Sequence, residues 1–81
     1  MIEVTVYERH AEARIVKDPG RKFSKEKFTS DLNRLKSDIP YQNRKWNPDK
    51  KVWVITGFAK FNYLPYMADA MDARKRQLSL F

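Results

Sequence analysis

Ile2, Val4 and Val6 alternate with Glu3, Thr5 and Tyr7, the period-two pattern of a half-buried strand. A second apolar run, residues 13–16, follows across a charged turn holding Glu8, Arg9, His10 and Glu12. The two runs are expected to form a hairpin, although no Asn-Gly pair fixes its register. Asp18-Pro19-Gly20 then stops the strand through turn chemistry.

The period changes to that of a helix over residues 24–37. Phe28, Leu32, Leu35 and Ile39 fall four, three and four apart, which makes one apolar stripe, with Lys25, Lys27, Arg34 and Lys36 largely off it. Ser24 is a suitable N-cap, and Phe23 before it is placed to pack on Phe28 as a hydrophobic staple. Pro40 ends the element, because its ring disfavours helical geometry at the preceding residue.

Asn47-Pro48-Asp49-Lys50 is a turn signal between two aromatic and β-branched pieces, so a second hairpin is expected there. Beyond Gly57 a second helix is expected from about residue 64 to 76, with Pro65 in the first turn, where its missing N–H is harmless. Leu64, Met67, Ala68 and Met71 form its inward stripe. The chain shows no repeats, low-complexity segments or linker. The expectation is a small single α+β domain of order ββαββα, with antiparallel hairpins packed against two helices over residues 1–76 and a tail over 77–81.

Composition narrows what such a domain could do. An apolar share of 42%, a third of it aromatic, allows one modest core in 81 residues and argues against disorder. No run approaches a membrane span, and the first residues lack a signal-peptide layout, so a cytoplasmic, nucleoid-associated protein without membrane contact is expected. With no cysteine and His10 as the lone histidine, disulfides, thiolate metal sites and histidine triads are excluded. Seventeen Lys and Arg against ten Asp and Glu leave a net charge of +7, a footprint for polyanions.

Arg44, Lys45, Lys50 and Lys51 bracket the second turn around Trp46 and Trp53, with Tyr41 just upstream. Cations track phosphates, and aromatic faces stack on unpaired bases. Trp53, between Val52 and Val54, reads as a core residue, whereas Trp46 fits core or surface equally. The four cations are therefore the better binding candidates.

The run Ile39-Pro40, Arg44-Lys45-Trp46-Asn47-Pro48 and Lys51-Val52-Trp53 resembles the hairpin of HARP-type and related substrate-recognition domains attached to DNA helicases and annealing helicases. A similar run occurs near the N-termini of some tyrosine recombinases. The resemblance covers about residues 23–66 and includes no motor or recombinase sequence. It implies recognition of forked, junction or single-stranded DNA without catalysis by the module itself.

The last five residues, Gln77-Leu78-Ser79-Leu80-Phe81, resemble at every position the consensus by which bacterial partner proteins dock on the sliding clamp of the replicative polymerase. The resemblance implies a bacterial or phage setting and a second partner, the clamp. Docking would place Leu78, Leu80 and Phe81 in apolar pockets while Gln77 makes polar contacts. The alternative is that the segment finishes the helix. Arg74, Lys75 and Arg76 just upstream either complement the helix dipole or contact DNA at the clamp.

Catalytic arrangements are weak by comparison. Asp69 and Asp72, or Glu8 and Glu12, are spacings common on solvated faces, and two glycines leave no phosphate-cradling loop. No enzymatic activity, metal, cofactor or small-molecule substrate is expected. The expected function is a DNA-binding accessory protein of replication or repair. The alternatives are a clamp-binding modulator whose charge is incidental and an RNA-binding module.

Overall fold

Strand β1 (Ile2–Val6) pairs antiparallel with β2 (Ala11–Ile15), placing Val4 opposite Ala13 and Val6 opposite Ala11. The computed structural model describes residues 1–79. β2 starts two residues earlier than its apolar run suggests, because the turn closes at Tyr7–His10 through a 2.8 Å bond from the Tyr7 N–H to the His10 carbonyl. Glu12 therefore lies in the strand and not in the turn. Ala11 and Ala13 are both fully buried under the helices, yet alanine carries little strand propensity, so the pattern hides Ala11.

β3 (Arg44–Asn47) and β4 (Val52–Ile55) form the second antiparallel hairpin, and β4 pairs with β2, so the sheet order is β1-β2-β4-β3. The Asn47 side chain accepts from the N–H groups of Asp49 (3.0 Å) and Lys50 (3.2 Å), which explains why this Asn-Pro turn is tight. Lys51 completes the reversal with φ of 56°, in the left-handed region that glycine or asparagine usually occupies.

Helix α1 (Lys25–Asp38) starts at Ser24, whose hydroxyl accepts from the Lys27 N–H at 3.3 Å, and Phe23 packs on Phe28 with ring centroids 6.1 Å apart. α1 lies over β2, and α2 (Pro65–Leu78) lies over β1. Between them Val6, Ala11, Ala13 and Ile55 of the sheet meet Leu35, Ile39, Phe61, Leu64, Met67 and Ala70 in one core. The inward stripe of α2 is thus Leu64, Met67 and Ala70, with Ala68 and Met71 only half-buried. The α1 stripe is buried only at its C-terminal end: Leu35 and Ile39 are enclosed, Leu32 is half-buried, and Phe28 stays 38% exposed. Helix cover falls mainly on β1 and β2, which leaves the β3 side of the same sheet face open to solvent.

The result is an α+β domain of order ββαββα. Among the described residues, no helix is long and apolar enough to cross a membrane.

Candidate nucleic-acid interface

The open part of the helix-bearing face is built by the segment that leaves α1. Ile39 adopts an extended conformation, Pro40 follows, and a 3₁₀ turn at Tyr41–Asn43 feeds into β3. Asn43 fastens this turn to the end of β4: its side-chain amide donates to the Thr56 carbonyl at 3.0 Å, and its own carbonyl accepts from the Thr56 N–H at 2.9 Å. Gly57 comes next with φ of 62°. A Cβ there would lie 3.3 Å from the Asn43 side chain, so both the backbone conformation and the close approach favour glycine.

Register decides which way the hairpin side chains point. Arg44 is opposite Ile55, and Trp46 is opposite Trp53, which in turn faces Ala13; these residues share the helix-bearing face. Trp46 and Trp53 meet with ring centroids 5.2 Å apart and planes at 55°. Trp53 is half-buried against the core, as its β-branched neighbours suggest, while Trp46 is 45% exposed on the outer strand.

Arg44 folds back over this pair. Its Nε donates to the Ile39 carbonyl at 3.2 Å, and its guanidinium carbon lies 5.8 Å from the Trp53 ring centroid and 5.6 Å from that of Tyr41. Lys36, from the last turns of α1, brings its Nζ within 5.8 Å of the Trp53 ring. All three distances suit cation–π attraction. With Lys45 these residues line a groove of about 650 Å³, and Tyr41, 84% exposed, forms its outer lip.

The four cations around the turn do not form one cluster. Lys45 is opposite Val54, whose other neighbour is Glu12, so its strand position faces the open side of the sheet while its side chain borders the groove. Lys50 sits on the Glu12 side, with Nζ 3.6 Å from that carboxylate. Glu12 also receives His10 at 3.3 Å, and the His10 ring stacks on Tyr7 at 5.0 Å. Lys51 reaches the helix-bearing face. Among the described residues, Lys36, Arg44, Lys45 and Lys51 have no carboxylate partner, so their charge is available to an anion.

Lys36 is the residue that the sequence pattern misses. The apolar spacing leaves it largely off the stripe, yet it lies four residues after Leu32 and so shares that residue's side of α1.

The C-terminal residues separate as well. Arg74 donates to the Val6 carbonyl at 3.2 Å and ties α2 to the end of β1, whereas Lys75 and Arg76 are exposed in the last turn. α2 continues beyond residue 76 through Gln77 and Leu78, so the first two residues of the five-residue motif are helical. Leu78 is 56% exposed, and Ser79 closes the helix through its N–H to the Lys75 carbonyl. Leu80 and Phe81 lie outside the described residues.

Among the described residues, no three His, Asp or Glu side chains come together as a metal-binding group. Comparisons with protein-family models, curated proteins and solved structures return no match.

Proposed function

We propose that this protein binds nucleic acid without catalysis, principally DNA with unpaired regions, and that its C-terminal residues tether it to a sliding clamp. The single observation that carries the first part is the Tyr41–Arg44–Trp53–Trp46 arrangement. The exposed rings of Tyr41 and Trp46, the latter seated on half-buried Trp53, lie beside cations that have no carboxylate partner among the described residues, on a chain of net charge +7. Stacking surfaces beside phosphate-seeking cations are what sequence-tolerant binding of single strands requires. The hairpin's likeness to HARP-type recognition domains supports the same reading. The protein would then act at forks, junctions or gaps and at the nucleoid.

The tether rests on the five-position likeness of residues 77–81 to the clamp-docking consensus. Gln77 and Leu78 occupy the last turn of α2, where helices fray at little cost, so extension of the segment on docking is inexpensive.

Titration of tryptophan fluorescence with single-stranded, forked and duplex DNA and with RNA tests the first part. Binding with a log–log salt slope steeper than about −2 is expected, because several phosphates are neutralised. A shallower slope defeats the reading, and preference for RNA at equal salt would reassign the partner. A pull-down with purified bacterial clamp tests the second part.

A further inference from the structure

We infer that an apolar groove on the far side of the tryptophan pair receives an unpaired base, and that the strand carrying it runs between cations at both ends of that groove. This rests on the nucleic-acid reading above and narrows it to single strands. The groove has a volume of about 550 Å³ and lies between α1 and the β3–β4 hairpin, walled by Ile15, Phe28, Leu32, Trp46 and Trp53 with Lys51 at its rim. That volume falls within the roughly 300–1,000 Å³ typical of small-ligand sites. Its walls are apolar and aromatic, which suits a flat base and offers nothing to a free ion.

What surrounds the groove identifies the occupant. Trp46 and Trp53 are shared with the cationic groove of Lys36, Arg44 and Lys45. At the other end, Phe28 is shared with a recess of about 230 Å³ that includes Lys17, Arg21, Lys22, Phe23 and Lys27. Asp18 also lines that recess, but its carboxylate is held by the Met1 ammonium at 3.0 Å, and Lys27 is engaged by Asp31 at 3.1 Å. Arg21 and Lys22 have no carboxylate partner among the described residues. An aromatic centre is therefore flanked by available cations on both sides. A single strand has the matching alternation of apolar base and anionic phosphate. An apolar peptide or a second copy of this basic chain would satisfy the walls but not the flanks, and a duplex keeps its base faces stacked within the helix.

The test compares an oligothymidylate of about a dozen residues, within the range of site sizes for single-strand binders, with an abasic strand of the same length and phosphate count. The abasic strand is expected to bind at least about fivefold more weakly with an unchanged salt slope, since stacking one base is worth roughly 1–3 kcal/mol. Leu32→Trp, which fills the groove, should reduce oligothymidylate binding to the abasic level. Phe28→Ala, at an exposed position, should weaken it without loss of folding by thermal melt. Equal affinity for the two strands would overturn the base site and leave the phosphate reading standing. Failure of both strands to bind would overturn the nucleic-acid reading itself. A dimer in sedimentation that Phe28→Ala dissolves would assign the groove to a second copy instead.

Discussion

Trp46 and Trp53 are directly opposed on β3 and β4, 5.2 Å apart, yet one is half-buried against the core and the other is 45% exposed. The asymmetry arises because β3 is the outer strand and helix cover stops short of it. One ring anchors the hairpin while its partner is free to stack on a ligand. Trp53→Ala should therefore cost about 2–3 kcal/mol of stability, less than a full core truncation because the ring is only half-buried. Trp46→Ala should cost only the aromatic pair, about 0.5–1.5 kcal/mol. It should also weaken single-strand binding by about 1–3 kcal/mol. Urea denaturation and fluorescence titration on the two variants check the split.

Charge near the turn should not be equivalent in binding. Arg44→Ala and Lys36→Ala should each reduce the salt slope by about one and weaken binding uniformly across sequences. Lys50→Ala should leave the slope unchanged, since Lys50 already faces Glu12 on the other side of the sheet. Arg44→Lys should not restore full affinity, because an ammonium lacks the planar face that lies between Tyr41 and Trp53. Titrations at several salt concentrations decide among these outcomes.

Most of the fold could be read along the chain because its signals are local. Ser24, Pro40, Asn47-Pro48 and Pro65 mark boundaries through capping and fixed φ, and the two structured turns follow them. What could not be read is what depends on register. Nothing local shows that β2 pairs with β4, and that pairing brings Glu12 beside the hairpin, where it holds Lys50 on the side of the sheet away from Arg44 and Lys51. The same long-range arrangement leaves Phe28 and Leu32 facing the hairpin instead of the core, which turns half of an apparent core stripe into groove wall. The aromatic–cation site was legible in residue types and not in grouping.

Lys51 offers a separation of stability from binding. Its left-handed φ of 56° strains any residue with a Cβ by about 1–2 kcal/mol, whereas glycine adopts it freely. Lys51→Gly should stabilise the fold by up to about 1 kcal/mol in denaturant melts. It should at the same time weaken single-strand binding, because the cation at the groove rim is lost. Unchanged affinity in the stabilised variant would show that the rim charge makes no contact.

Removal of residues 77–81 should abolish clamp capture and leave the domain folded. Gln77 and Leu78 form the exposed end of α2, and the tie from Arg74 to Val6 is retained, so the loss in stability should stay within about 0.5 kcal/mol. Leu78→Ala combined with Phe81→Ala should also abolish capture without shortening the chain. DNA affinity should change little in either variant. If the truncated protein unfolds, the segment is part of the fold and the tether reading is lost.

Asp31 should govern the pH range of stability. It is 4% exposed on α1 and receives both the Met1 ammonium (2.9 Å) and Lys27 (3.1 Å). Burial works against its charge, but hydrogen bonds from those two cations outweigh it and hold the carboxyl below its usual pKa. Burial likewise opposes the Met1 ammonium, while hydrogen bonds to Asp31 and Asp18 raise its pKa above the ordinary value. The depressed carboxyl contributes stability above its unfolded pKa and loses it as pH falls through the folded one. The raised ammonium contributes below its unfolded pKa and loses it as pH rises through the folded one. Stability should therefore plateau between about pH 4 and 8 and decline on both sides. Asp31→Asn keeps the shape but removes the charge, so the plateau should drop by about 1–2 kcal/mol and both limbs should become shallower. Asp18 remains to hold part of the alkaline limb. Thermal midpoints measured across this pH range for both proteins provide the check, and parallel profiles would show that Asp31 contributes through packing alone.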